Sequence, residues 1–254
     1  MGAISNYWKG IEVKILEDPP LEVESKLPWF VEVLVYPASM HGLIQIGIFV
    51  VAYLVVDLTQ PIMFAVFRHY GQVVVLGLRI LLVGYVTFYF GYCIYDSSRG
   101  GRRAPNIAVH HVPDKGDFVS QIGLILGCVA VCFWPVGLYY GFTERTDSAF
   151  WLLAACGGFF FPMALLAGIL FDATHALNPI FIVISVLRTF FAYWALILSF
   201  CVFGGLVAAV FWILSNIPIL SFVSSAVGLY LLLVAAHLLG RFYWWNKYKL
   251  NWGL

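Results

Sequence analysis

Two charged residues lie inside apolar stretches, and they are the first candidates for chemistry. Asp57 lies near the end of the stretch 42–60, and Arg79 near the start of the stretch 77–95. A charge inside a bilayer is costly and is usually paired or functional. If the stretches form a hairpin, an Asp–Arg pair neutralises both charges. We interpret the pair as a hairpin clamp. The alternatives are a proton or substrate site, and an unpaired Arg79 that reaches the membrane interface.

A second group of polar residues has ligand types that suit a metal or a proton relay. Asp172 and His175 are three residues apart at the end of the fourth apolar stretch, and His237 lies near the end of the sixth. Carboxylate and imidazole groups bind metals and carry protons. The alternative is that Asp172 caps a helix turn and His175 lies at the interface. We assign no catalytic residue, no metal and no cofactor from these residues.

The most distinctive polar segment is 97–105 (SSRGGRRAP). Its two adjacent glycines predict a flexible turn, which presents Arg99, Arg102 and Arg103 on one surface. We interpret these arginines as a topology determinant beside anionic lipid headgroups. The alternative is a docking site for an acidic partner or a phosphate.

Composition sets the class of protein. The chain has 254 residues, of which 62% are hydrophobic and 11% charged. A soluble domain carries about 25% charged residues, so the composition excludes an ordinary soluble enzyme. The net charge of +1 excludes a nucleic-acid-binding domain. No nucleotide loop, hydrolase triad, zinc-protease or haem-attachment motif occurs. We favour a non-enzymatic role because the apolar stretches contain few charges.

Six apolar stretches are long enough to cross a bilayer, since about 20 residues span its hydrocarbon core. They predict an all-α membrane protein, a bundle of six transmembrane helices. The connection 61–72 is amphipathic and predicts a short interfacial helix. The predicted spans are residues 42–60, 77–95, 119–140, 149–171, 188–214 and 218–240.

Lysine and arginine residues predict the orientation of this bundle. Eleven of them fall on the side that holds both termini, and two, Arg68 and Arg145, fall on the other. Cytoplasmic loops carry the excess of positive charge. We therefore expect a multi-pass protein of a bacterial inner membrane with both termini in the cytoplasm. The eleven are Lys9, Lys14, Lys26, Arg99, Arg102, Arg103, Lys115, Arg188, Arg241, Lys247 and Lys249.

Three regions follow from this topology. Residues 1–41 form a cytoplasmic segment that ends in an interfacial helix over 28–37, and residues 42–240 form the six-span domain. Residues 241–254 form a cytoplasmic tail in which aromatic residues precede basic ones, a pattern that anchors a helix end at the headgroups. The anchor residues are Trp244, Trp245, Lys247 and Lys249.

Glycines predict which helices pack closely. Gly77, Gly84 and Gly91 recur every seven residues and share one helix face. Gly123 and Gly127 form a small-xxx-small pair in the next span. Such faces let helix backbones approach each other. We expect packing within the bundle, although a seam between two copies of the chain has the same pattern.

Several short elements resemble a known family layout. They are Tyr36-Pro37, Gly91-Tyr92, the polar Gly/Arg/Pro loop, 161–165 (FPMAL) and 176–179 (ALNP). Over roughly residues 30–240 the chain resembles uncharacterised bacterial and archaeal polytopic membrane families and is broadly similar to Yip-type membrane proteins. The Asp-Leu-Tyr-Gly-Pro signature of eukaryotic Yip-type proteins is absent, so the resemblance implies no trafficking role. It also implies no catalytic residue.

Three functions are compatible with these observations. The first is a non-enzymatic membrane subunit, a scaffold or accessory component of a larger complex, with other membrane subunits or a second copy as partners. The second is a small transporter or channel with Asp57 and Arg79 lining its path. The third is a membrane enzyme or metal site that uses Asp172, His175 and His237.

Overall fold

The structure of the chain is a computed structural model. It describes residues 28–67, 69–105, 115–171, 177–215 and 221–252. The chain divides into two compact units, residues 1–32 and 33–254. Most of the first unit, and with it most of the predicted N-terminal segment, lies outside the described residues.

In the described residues every regular element is a helix, and no strand occurs. A short 3-10 helix, Tyr36–Ala38, separates the first two α-helices. Six helices contain stretches long and apolar enough to cross a membrane, which confirms the predicted all-α six-span bundle. The α-helices are α1 (Trp29–Val35), α2 (Met40–Phe67), α3 (His69–Ser98), α4 (Lys115–Thr143), α5 (Ser148–Phe171), α6 (Pro179–Arg188), α7 (Phe190–Ser215) and α8 (Ser221–Leu250).

The connection between the first two spans differs from the prediction. Instead of a separate interfacial helix over 61–72, α2 continues through Pro61 to Phe67, and α3 begins at His69. A proline removes one helical hydrogen bond, but membrane helices tolerate this when their neighbours repack. At Gly71 a Cβ would overlap the Met63 carbonyl, so the two backbones touch close to the turn.

A short helix that the sequence did not predict precedes the fifth span. The Asn178 side chain accepts a hydrogen bond from the backbone N–H of Ile180 at 3.0 Å. Pro179 occupies the first helical position. Both features are typical of a helix start. Because α6 ends at Arg188 and α7 begins at Phe190, Arg188 belongs to α6 and not to the fifth span.

The core of the bundle forms where α8 packs on α3. A Cβ at Gly240 would lie 2.5 Å from both the Ile94 carbonyl oxygen and Ser97 Cβ, so the α8 backbone rests directly on α3. Only a residue without a side chain permits this approach. Half of the most apolar window of α5 is buried, against 11% in α7. Helix α5 is therefore central, and α7 is peripheral.

The end of α8 closes against α6. The Trp252 indole N–H donates to Ser185 Oγ at 3.0 Å, and Arg188 Nη1 donates to the Leu250 carbonyl at 3.0 Å. Leu250 is fully buried. The predicted boundary between the last span and the tail 241–254 therefore does not coincide with a helix end, because α8 continues unbroken to Leu250.

The loop between α4 and α5 is fixed by one carboxylate. Asp147 Oδ1 accepts hydrogen bonds from the backbone N–H groups of Ala149 and Phe150 at 3.1 and 3.2 Å, which caps α5. The Tyr139 hydroxyl, at the end of α4, donates to both carboxylate oxygens at 2.9 and 2.8 Å. This hydrogen bond lowers the pKa of Asp147 and keeps the cap ionised.

Candidate functional site

The structure brings together the two charged residues of the apolar stretches. Arg79 Nη2 lies 2.8 Å from Asp57 Oδ1, and it also donates to Gln60 Oε1 at 2.8 Å. The exposed fractions of the Arg79 and Asp57 side chains are 43% and 39%. The pair therefore clamps α2 to α3, and it does so on an outer surface of the bundle.

A groove of about 400 Å³ opens beside this pair, between α3 and α4. Arg79, Val83 and Thr87 line one wall, and Ile122 and Leu126 line the other. Arg79 carries the single charge among the lining residues. The groove is thus an apolar depression on the outer surface of the bundle, with the Arg79 guanidinium at its edge.

The glycine face of α3 meets three different surroundings. At Gly91 a Cβ would overlap the Gln121 side chain, which marks the close contact between α3 and α4. Gly84 is buried and lines the groove. Gly77 is exposed and has no described neighbour within 4 Å of a Cβ. The predicted glycine face of α3 therefore packs against α4 at Gly91 and is exposed at Gly77.

The two glycines of α4 also differ from each other. A Cβ at Gly127 would lie 3.2 Å from Leu177 Cδ1, so this position packs against the segment that leads into α6. Gly123 faces open space in the part of the chain that is described. The small-xxx-small pair therefore makes one contact within the chain and leaves the other position on the surface.

The segment after α3 has a defined turn. Gly100 N–H donates to the Ser97 carbonyl at 3.2 Å, and Gly101 N–H donates to the Asp96 carbonyl at 3.0 Å. This pattern is the Schellman motif that ends many helices, and it needs a left-handed residue. Gly100 supplies it with φ +98°, and the Trp244 ring lies 3.3–3.5 Å from the position that a Cβ would occupy there.

This turn positions the three arginines that the sequence singled out. The Arg99 guanidinium lies 4.6 Å from the centroid of the Tyr95 ring. Arg99 and Arg103 are exposed, and Arg102 is half-buried. Ala104 is almost fully buried, which holds the segment with Arg102 and Arg103 against the bundle. The arginines therefore stand on a fixed turn.

Replacement of Gly100 by alanine should destabilise the protein by about 1–2 kcal/mol, because a Cβ disfavours the left-handed region. The measurement is the midpoint of thermal unfolding of the purified protein in detergent. Gly123→Ala is the matched control, since Gly123 is helical and open, and alanine there costs nothing. Equal midpoints for Gly100→Ala and the wild type would contradict the assignment of this turn.

The predicted anchor residues lie on the last turns of α8. Lys247 Nζ is 3.8 Å from the centroid of the Trp244 ring. Trp245 is 50% exposed, and Lys249 is exposed. Because Trp244 also packs on Gly100, this helix end and the arginine turn form one continuous surface.

His237 is part of a buried contact between α8, α3 and the 3-10 helix. Its Nδ1 lies 2.8 Å from Ser97 Oγ, and its ring stacks on Tyr36 with centroids 3.9 Å apart and planes 15° apart. The exposed fractions of all three residues are 1% or less. This arrangement joins distant parts of the chain in the core.

Sequence reasoning missed Tyr36 and Ser97 as partners of His237. The sequence contains one indication that Ser97 is buried. Tyr89, Cys93 and Ser97 are spaced by four residues and therefore lie on one face of α3. Burial raises the pKa of Tyr36, and the nearby Asp96 carboxylate raises it further, so its hydroxyl stays neutral.

The metal hypothesis has no ligand cluster in the described ranges. Asp172 and His175 lie outside those ranges, so their positions are not part of the structure described. His237 contacts Ser97 and Tyr36. No group of three or more histidine, cysteine or carboxylate side chains in the described part could hold a metal ion.

Comparison with known proteins identifies no relative of this chain. No protein-family model matches the chain, and no curated protein or solved structure matches it. The resemblance to Yip-type proteins stays a prediction. What the geometry offers is a clamped hairpin, an apolar groove beside an exposed ion pair, and a cationic aromatic surface.

Proposed function

We propose that the chain is a non-enzymatic integral membrane subunit, a scaffold or accessory component of a larger membrane complex. The observation that carries the proposal is the position of the Asp57–Arg79 pair. Both side chains are about two-fifths exposed, beside large apolar side chains that are more exposed still. Leu58, Leu76 and Ile80 near the pair are 71%, 59% and 58% exposed.

Lipid tails cannot solvate an exposed ion pair. Polar side chains within a bilayer therefore face protein or water, and they form hydrogen bonds across helix contacts. A transmembrane helix from a partner subunit that places a hydrogen-bonding side chain over the pair would complete this solvation. We infer that such a helix lies along the groove between α3 and α4.

The shape of the groove supports this partner. Its walls are formed by branched apolar side chains such as Val83, Ile122 and Leu126, and Gly84 lies between them. At about 400 Å³ the groove accepts the side chains of one helix face. The exposed Gly77 at the open end of the glycine face lets a second backbone approach there.

The orientation and the membrane are parts of the same proposal. Eleven basic residues on the side of the termini against two on the other favour cytoplasmic termini. We place the subunit in a bacterial inner membrane with helix α1 at the interface.

The test is a substitution that fills the groove without disturbing the fold. Val83→Trp suits this purpose, because Val83 lines the groove and is 61% exposed. Val202→Trp on α7 is the matched control, with a valine that is 63% exposed. Each tagged variant is purified gently from native membranes, and co-purifying proteins are quantified by mass spectrometry. We expect the wild type and Val202→Trp to retain a stoichiometric partner, and Val83→Trp to lose most of it.

Two outcomes count against the proposal. Equal partner retention by Val83→Trp and Val202→Trp would exclude the groove as the contact surface. Isolation of the wild type alone, with no partner and no second copy, would favour a small transporter with Asp57 and Arg79 lining its path. That alternative is tested by flux into liposomes with the wild type, Asp57→Asn and Arg79→Gln.

A further inference from the structure

The turn after α3 and the end of α8 form a surface that is positively charged and rich in aromatic rings. Residues 99–105 and 241–252 together contain six basic residues and no acidic one. Counted together with Asp96 at the end of α3, these two segments carry a net charge of +5. We call this the Arg99–Lys247 surface, after two cationic residues at its edges.

Packing makes the surface continuous. The Trp244 ring atoms lie 3.3 to 3.5 Å from the position of a Cβ on Gly100, so the indole covers the turn directly after Arg99. Lys247 Nζ lies 3.8 Å from the centroid of the same indole. The Trp244 ring therefore contacts both Lys247 and the glycine that directly follows Arg99.

Aromatic rings also orient the cations. The Arg99 guanidinium lies over the Tyr95 ring at 4.6 Å, and Lys247 lies over Trp244. A cation held over an aromatic face loses fewer conformations when it binds an anion. Arg99 is exposed, so its N–H groups remain accessible.

Exposed aromatic residues border the same helix end. Tyr248 is 86% exposed and Trp245 is 50% exposed. Tyrosine and tryptophan side chains are enriched at the headgroup level of membranes, where one end of the ring is apolar and the other is wet. A protein partner with an acidic segment needs the cations alone, whereas a lipid surface uses the cations and these rings together.

We propose that the Arg99–Lys247 surface binds the headgroups of anionic phospholipids. The phosphate contacts the Arg99 guanidinium and the Lys247 ammonium, and the exposed rings of Trp245 and Tyr248 lie at the level of the headgroups. The proposal does not depend on a partner subunit, so it stands apart from the function proposed above.

The test compares two lipids on the purified protein in detergent. Dioleoyl phosphatidylglycerol and dioleoyl phosphatidylcholine are titrated separately, and bound lipid is counted by native mass spectrometry. Each basic side chain near an anionic headgroup strengthens binding about fivefold, so Arg99→Gln with Lys247→Gln weakens phosphatidylglycerol binding by about 25-fold. Phosphatidylcholine binding stays unchanged. Arg145→Gln, an exposed arginine on the α4–α5 loop, is the control and behaves as the wild type.

Three results would overturn the proposal. The first is equal binding of the two lipids by the wild type. The second is a double variant that binds phosphatidylglycerol as tightly as the wild type. The third is displacement of phosphatidylglycerol by inorganic phosphate or by a ten-residue glutamate peptide at equal concentration, which would assign the surface to a free phosphate or to an acidic protein segment.

Discussion

Replacement of Arg79 by leucine is expected to lower the melting temperature of the purified protein by roughly 6–12 °C. The substitution leaves the Asp57 carboxylate without its cation in an apolar environment, which costs about 3 kcal/mol. For a chain of this size each kcal/mol corresponds to roughly 2–4 °C. Gln60 also loses its hydrogen-bond donor. Thermal unfolding in detergent and in nanodiscs measures the change.

The double variant Asp57→Leu with Arg79→Leu tests whether the loss of stability comes from breaking the ion pair or from losing each side chain separately. Because it contains neither charge, it should recover most of the melting temperature that Arg79→Leu loses. If the double variant is as unstable as the sum of the single variants, the two residues do not act as a clamp. Partner retention by the double variant is a separate readout, and we expect it to be lost even where stability is recovered.

Replacement of Gly240 by leucine is expected to separate α8 from α3. A Cβ added at Gly240 would lie only 2.5 Å from the Ile94 carbonyl oxygen. Backbone atoms cannot move aside as the end of a flexible side chain can. Overpacking of a well-filled core costs about 1–3 kcal/mol and more where the backbone is rigid. The contact between Ser97 and His237 lies within one turn of Gly240 and is lost with it.

The measurement is again the melting temperature, together with the elution profile on size-exclusion chromatography. Gly204→Leu is the matched control, because Gly204 lies on the peripheral α7 and a Cβ there has no described neighbour within 4 Å. We expect Gly204→Leu to behave as the wild type. A monodisperse Gly240→Leu protein with an unchanged melting temperature would show that α3 and α8 do not pack as described.

The helices and the intramembrane pair could be inferred from local signals. An apolar stretch of about 20 residues has few alternatives to a spanning helix, because all its backbone groups must be bonded within it. Asp57 and Arg79 lie in consecutive stretches, so a hairpin brings them to similar depths. For these features, residues close together in the sequence determine both the helix and the contact that it makes.

The boundaries at proline residues could not be inferred in the same way. The predicted first span ends at residue 60, directly before Pro61, and Pro179 falls between the predicted spans 149–171 and 188–214. In soluble proteins a proline usually stops a helix. In the structure Pro61 lies inside α2, and Pro179 begins α6. Whether a proline ends, interrupts or starts a helix depends on the packing around it, which a single sequence does not contain.

The buried contact of His237 could not be predicted from the sequence for another reason. Its hydrogen-bond partner Ser97 is 140 residues away along the chain. Its stacking partner Tyr36 lies before the first span. From the sequence, His237 near a helix end is a candidate metal ligand or proton carrier, and only the close approach of the helices at Gly240 makes it a core residue.

The closure of α6 by the end of α8 sets an order for synthesis and membrane insertion. Domains fold as the chain emerges from the ribosome, N-terminal parts first. Helices α2 and α3, and then α4 and α5, can form hairpins as soon as both members are made, although α3 completes its packing only when α8 arrives. Ser185 and Arg188 find their partners only 67 and 62 residues later, at Trp252 and Leu250. Helix α6 is therefore one of the parts that reach their final packing only after the end of α8 has been made.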